Sequence, residues 1–250
     1  MPPLIPMPAL SLNPTVLSTF GSTWLGTASI SNKNGIKKPN CFDKKQGMDF
    51  GETFIDPAFA TPLSTMLGGI PIVPIHKPSP SNPGPLNPPM PDCVELGPTR
   101  VIGGVRPQYF DTVYRPDGLR IAYDSKTLND TDSVNKNWQN MVNDLATEAT
   151  TVHTRFPFAL VVFLVFIPRP ALNPSQQRDI INTLERISGR KKPQDPNHLA
   201  EAISLVVWDP STGTIDKTVP GTTSILDIDL LSQTIYSVYS ERYKGLPPHQ

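Results

Sequence analysis

Ten consecutive residues, Phe158 to Ile167, set the first constraint on what this chain can fold into. They read Phe-Ala-Leu-Val-Val-Phe-Leu-Val-Phe-Ile, rich in the Val and Phe that favour strands. A strand with one wet face alternates in polarity. This one does not, so both of its faces must be covered. It is too short to cross a bilayer, which takes about 20 residues, and Pro168 and Pro170 end it. Such a segment belongs at the centre of a sheet with helices packed on it, which is the α/β class.

The flanking sequence carries matching signals. Asp130 and Asp132-Ser133 offer N-caps to a helix over Val134 to His153. There Trp138, Met141, Leu145, Ala149 and Val152 recur at spacings of three and four, with Lys136, Asn140, Asn143, Asp144, Thr147 and Glu148 on the other face. Asn173-Pro174-Ser175 opens a second helix that runs to about Ile187, ahead of Gly189. Leu199 to Trp208 contains a further strand. Ile225 to Tyr243 is a C-terminal helix with Leu230, Leu231, Ile235, Val238 and Tyr239 turned inward. Arg100 to Val105 is a strand bent at Gly103-Gly104. With a hairpin over Phe110 to Thr127, the order from residue 100 is three strands, helix, strand, helix, strand, helix. That order predicts a mixed central sheet flanked by helices.

The chain has 30 prolines, concentrated in its first hundred residues. Residues 1–99 are therefore expected to be a proline-rich extension or arm with little regular structure, and residues 100–250 the folded domain. Within the arm, Thr15 to Leu25 reads as a short strand or helix, and Ala58 to Leu67 as a short helix closed by Gly68-Gly69. Residues 71–92 read as extended chain, and Lys37, Lys38, Lys44 and Lys45 mark a polar, turn-rich stretch.

The hairpin holds the chemistry. Pro116-Asp117-Gly118 is a strong turn signal, and strand-forming residues flank it. A symmetric turn centred near Asp117 pairs positions whose numbers sum to about 235. Asp111 then lies opposite Asp124, and Lys126, two residues on, shares the face of Asp124. Two acids and a lysine on one face make a candidate divalent-metal site. Mg²⁺ is a hard ion that takes oxygen ligands and keeps several waters. Asp111, Asp124 and the Ser125 backbone carbonyl would ligate it, and Lys126 would stabilise phosphate charge or orient and deprotonate a water. If a bulged turn shifts the register, Asp117 becomes the alternative first acid. Glu148, on the following helix, is a further candidate through a bridging water.

Asp111, twelve intervening residues, then Asp124-Ser125-Lys126 on paired strands resembles the PD-(D/E)xK nuclease superfamily, with its restriction-endonuclease-like fold. The helix and buried strand that follow match that fold's common core. The resemblance covers residues 100–170 and says little about residues 1–99. It implies a Mg²⁺-dependent nuclease acting on double-stranded DNA, most often a homodimeric type II restriction enzyme with a companion DNA methyltransferase. It makes Asp111 and Asp124 the metal ligands and Lys126 the catalytic lysine. A repair or recombination nuclease on the same core, or a non-catalytic DNA-binding or scaffold protein, are the other readings. A second Asp-x-Lys string, Asp43-Lys44-Lys45, lacks strand context and reads as solvated surface.

Other function classes lose ground on composition. The formal net charge is zero and only 18 % of residues are charged, so nucleic-acid contacts would have to come from local clusters. Arg100, Arg106, Arg115, Arg120 and Lys136 surround the hairpin, and Arg190 to Lys192 form a separate basic patch. Two cysteines make neither a disulfide framework nor a zinc site. There is no P-loop, no G-x-S-x-G and no Rossmann glycine pattern. His153 stands alone at a helix end and is expected to serve that terminus. The N-terminus lacks the basic and apolar regions of a secretion signal, and the expected location is the cytoplasm.

Overall fold

The computed structural model describes residues 4–26 and 40–249. Six strands form one mixed sheet whose spatial order follows the chain. They are β1 (Ile72–Pro74), β2 (Val94–Ile102), β3 (Pro107–Tyr114), β4 (Ile121–Thr127), β5 (Leu160–Pro168) and β6 (Ala202–Trp208). The β2–β3 and β3–β4 pairs are antiparallel. The β1–β2, β4–β5 and β5–β6 pairs are parallel. The helices are α1 (Pro14–Leu25), α2 (Lys44–Phe50), α3 (Asp56–Met66), α4 (Thr131–Arg155), α5 (Pro174–Arg186) and α6 (Ile228–Tyr243).

β5 is buried along its whole length, and its two faces meet two separate cores. Leu160, Val162, Leu164 and Phe166 face one of them, and Val161, Phe163, Val165 and Ile167 the other. Each such side chain contributes roughly 1.5–3 kcal/mol on burial. The odd-numbered set packs on α4 and α5, which carry the chain from β4 to β5 and from β5 to β6. The Asp130 carboxylate caps α4 by accepting from the backbone N–H of Asp132 and Ser133, and the Ser133 hydroxyl oxygen accepts in turn from the Asp130 N–H. Asn173 caps α5, with Pro174 in its first turn.

The even-numbered set is covered largely by the N-terminal part of the chain. Leu17, Trp24, Phe50, Phe54, Phe59 and Leu63 join Tyr239 of α6 in this second core. The expectation of an N-terminal arm with little regular structure is thereby corrected. The stretch supplies three helices, β1 and most of β2, and a boundary at residue 99 would cut β2. The physical reason is the two-sided burial of β5, since α4 and α5 occupy one face only. Thr15 to Leu25, left open between strand and helix, is helical, with Asn13 as its N-cap. Lys37 and Lys38 lie outside the described residues. In α6, Leu231, Ile235, Val238 and Tyr239 are buried as expected, whereas Leu230 is 38 % exposed.

A single π-helical turn, Gly51–Ile55, joins α2 to α3, and Phe50 and Phe54 stack across it at 5.8 Å. The proline-rich stretch from Pro78 to Pro91 lacks the N–H groups to enter the sheet, but its carbonyls still need donors. Arg115 supplies them. Its guanidinium donates to the Leu86 carbonyl (2.7 Å) and the Pro85 carbonyl (3.3 Å) and forms a two-pronged ion pair with buried Glu95 (2.6 and 2.7 Å). Arg190 is likewise fully buried, bonded to Glu201 at 2.9 Å, so of the Arg190–Lys192 stretch only Lys191 and Lys192 are exposed. Glu201 also meets Arg242 (2.8 Å) and His153 Nε2 (3.1 Å), while His153 Nδ1 faces the Asn197 carbonyl at 2.9 Å. His153 is thus part of a buried ionic cluster and not only a helix-terminal group.

Arg115→Met leaves Glu95 charged, buried and unpaired, and is expected to lower unfolding free energy by roughly 3–5 kcal/mol in a denaturant titration. Adding Glu95→Leu should recover only part of that, because the carbonyls of Pro85 and Leu86 remain without their donor.

Candidate active site

Antiparallel pairing gives way to parallel pairing at β4, and the register of β4 with β3 is short. Its pairs are Thr112↔Tyr123, Val113↔Ala122 and Tyr114↔Ile121, each summing to 235. Past Thr112↔Tyr123 the ladder stops. β3 continues with β2, where Thr99 pairs Phe110, and β4 continues with β5 through Thr127↔Phe166. Asp111 and Asp124 are the next residues on each strand, at the mouth of this divergence.

The Asp111 carboxylate fills the gap. It accepts from the Ser125 N–H (2.9 Å) and the Ser125 hydroxyl (3.1 Å), and its carboxyl reaches that of Asp124. In a strand the N–H and C=O of one residue point the same way, so the Ser125 carbonyl also looks toward β3. Asp124 and Lys126 share the face covered by α4. Lys126 Nζ bonds the Asp124 carboxylate and, at 3.0 Å, Glu148 Oε1 of α4. Ser125 points to the opposite face, where α3 presents Asp56, 3 % exposed, to its hydroxyl. Gly51 closes over the pair: a Cβ on it would lie 3.7 Å from Ser125 Oγ and 3.9 Å from Asp56 Oδ2.

The structure brings together Asp111, Asp124, Ser125, Lys126 and Glu148, and adds Asp56. It leaves Asp117 elsewhere. Asp117 sits in the turn and forms a two-pronged ion pair with Arg120 (2.8 and 2.6 Å). The Arg120 guanidinium is buried against Tyr243, 4.6 Å from the ring centre. Asp56 is the residue that sequence reasoning missed. A signal existed, because Asp56 is the single charged residue between Thr53 and Ile75, an acid alone in an apolar stretch. Asp43 of the second Asp-x-Lys string caps α2, with a reciprocal bond from Gln46.

Four carboxylates share this site with one ammonium, and the proton affinities of Asp56, Asp111 and Glu148 show it. Burial pushes Asp56 up to about 7, with the charge of Asp124 adding to the rise. Burial, then the Asp124 charge, pushes Glu148 up to about 7. The same causes hold Asp111 well above the ordinary carboxylate range. Burial alone would lower Lys126, but Asp124 and Glu148 outweigh it and keep the ammonium protonated. Two buried carboxylate oxygens, Asp56 Oδ1 and Glu148 Oε2, have no hydrogen-bond partner among the described residues. Such orphans are uncommon and ask for an explanation. The donors are all hard oxygens, the set that suits Mg²⁺. Among the described residues no three of them yet stand as a ready cation cage, and Lys126 is the cation that Asp124 and Glu148 now share.

No family model matches this chain, and comparison with curated proteins and with solved structures also returns no match. Any functional reading therefore rests on the residues themselves. Among the described residues no helix is long and apolar enough to cross a membrane.

The raised Asp56 sets a pH dependence. The folded state binds its proton more tightly than the unfolded chain does, so this group's contribution is greatest below the ordinary aspartate value of 3.8 and is lost as pH rises to about 7. Asp56→Asn, which cannot ionise, should melt several degrees above the parent at pH 8 without divalent ions. The gap should narrow toward pH 4 in thermal scans.

Proposed function

We propose that this protein is a Mg²⁺-dependent endonuclease that hydrolyses DNA phosphodiester bonds, with a restriction-endonuclease-like core. The observation that carries the reading is the meeting of Asp111, Asp124, Glu148 and Lys126 where β3 and β4 part. Its support in the fold is the order of three antiparallel strands, a crossover helix and a parallel strand, with the acids and the lysine on the middle pair.

Asp111, Asp124 and the Ser125 carbonyl would hold the ion, with Asp56 and Glu148 able to add an oxygen each. Bound Mg²⁺ supplies Lewis-acid polarisation of the phosphate and an activated water. The rest falls to the chain. Lys126, kept protonated by Asp124 and Glu148, offers its charge to the phosphate as negative charge builds in the transition state. Of the two roles open to it, charge stabilisation fits better than proton abstraction. Glu148, with its carboxyl at about 7 and one oxygen without a hydrogen-bond partner among the described residues, suits the base that takes the proton from the attacking water. The Ser125 N–H and hydroxyl hold the Asp111 carboxylate in place. A homodimer would give the two sites needed to cut both strands of a duplex, as in a type II restriction enzyme paired with a methyltransferase.

Incubation with supercoiled plasmid and Mg²⁺ tests the reading. Cleavage should fall by roughly a hundredfold or more in Lys126→Ala and Asp124→Ala, with both variants folded by circular dichroism. Discrete fragments support restriction, and smeared or structure-specific cuts support a repair or recombination nuclease. Binding without cleavage in either Mg²⁺ or Mn²⁺ would overturn the enzyme reading in favour of a DNA-binding or scaffold protein. Asp111→Ala should abolish cleavage while Asp117→Ala retains it in any sample that stays folded.

A further inference from the structure

One end of the carboxylate cluster opens into a cleft of about 560 Å³. Asp56 and Asp111 form its inner edge, and its walls are Pro74, Ile75, Pro78, Pro98 and the ring of Tyr109. The volume is within the roughly 300–1,000 Å³ of small-molecule sites. The walls are apolar, and a charged pair on its lining, Glu52 and Lys77 at 2.8 Å, is internally neutralised. No surplus cation there grips a phosphate. Whatever enters is held by apolar and aromatic contact, close beside groups suited to phosphodiester chemistry.

Tyr109 is placed for this. It lies two residues before Asp111 on β3, so the two share a face about 7 Å apart along the strand. The ring is 41 % exposed, and its hydroxyl donates to the Pro83 carbonyl at 3.1 Å, which fixes its orientation. Gly97, at φ +121°, lets the Ile75 backbone close onto β2. A Cβ there would stand 2.4 Å from the Ile75 carbonyl oxygen, so no other residue could form that wall.

A base-paired duplex presents phosphates, sugars and groove edges to a protein, and keeps the flat faces of its bases stacked inside. The surface of a nucleic acid that suits an apolar cleft with an aromatic wall is the face of an unstacked base. We infer that the cleft receives an unpaired nucleobase next to the scissile phosphate, stacked on Tyr109, so that the substrate is nucleic acid with an unpaired or extruded nucleotide at the cut. This rests on the nuclease reading for the position of the phosphate, but the cleft's occupancy can be tested apart from cleavage.

The probe is an oligonucleotide carrying 2-aminopurine in a single-stranded gap, titrated with the full chain in Ca²⁺, beside a fully paired duplex of the same sequence. Stacking quenches 2-aminopurine. The gapped probe should bind more tightly than the duplex and lose fluorescence on binding. Tyr109→Phe should keep the quench. Tyr109→Ala should remove it and weaken binding by between about fivefold and a hundredfold. Equal or tighter binding of the paired duplex, an unquenched probe, a quench that survives Tyr109→Ala, or no binding to either probe would each overturn the inference. Plasmid cleavage with Mg²⁺ that Tyr109→Ala does not change would overturn it while leaving the nuclease reading intact. Quenching by the parent without any cleavage would sustain the cleft and remove the nuclease.

Discussion

The structure depends on one requirement, that β5 be dry on both faces. Helices α4 and α5 both serve as crossovers between parallel strands, and both pack on the odd-numbered side of β5. Right-handed crossovers that progress in one direction across a sheet leave their helices on a single face. The even-numbered side therefore needs cover from outside the crossover pattern. The chain provides it from both ends, with α1 to α3 before the sheet and α6 after it. The same requirement explains why a segment so rich in proline and polar residues packs as regular structure. Its Phe50, Phe54, Phe59 and Leu63 complete a core that would otherwise be open to water.

That arrangement also sets the electrostatics of the site. The helix that covers one face of β4 brings Glu148, and the helix that covers the other brings Asp56. Both acids arrive where β3 and β4 stop pairing, so a break in the ladder collects four carboxylates, two of them, Asp124 and Glu148, bonded to Lys126. Burial and mutual repulsion raise three of them. A structure selected only for stability would avoid such a cluster, and cores generally keep unpaired charge out. Here the unfavourable groups sit at the edge of a cleft, and two of their oxygens lack hydrogen-bond partners among the described residues.

Much of the C-terminal two thirds could be read from the residues. Capping signals at Asp130 and Asn173, the periodicity of α4 and the apolar run of β5 are local features, and each determines its own element. The hairpin register followed from a turn triplet, and with it the nearness of Asp111 to Asp124. The N-terminal part was misread because proline content measures what a chain cannot do locally and is silent on what a distant surface requires. Arg115, Arg120 and Arg190 looked like surface charge, since a guanidinium carries no sequence sign of its buried partner. Glu95 lies 20 residues from Arg115, and Glu201 lies 11 from Arg190. Asp56 stands out locally as a lone acid in an apolar stretch, but nothing local says what it meets. Its neighbour Ser125 is far along the chain, and only tertiary packing joins them.

The π-helical turn at Gly51–Ile55 bears on that last residue in a particular way. One residue of helix corresponds to about 100° of rotation, and a π turn takes up one residue more than an α turn. The insertion thus separates the angular phase of α2 from that of α3. Phe50 and Phe54 can both enter the core while Asp56, two positions later, faces Ser125. Without the extra residue in the turn, α3 as a whole would be rotated by roughly 100° relative to α2, moving Asp56 off Ser125 and Phe59 off the Tyr123 ring that it stacks on. The position of the acid is then a matter of phase more than of distance: a single residue's worth of winding decides whether α3 merely covers the sheet or also brings a carboxylate to Ser125.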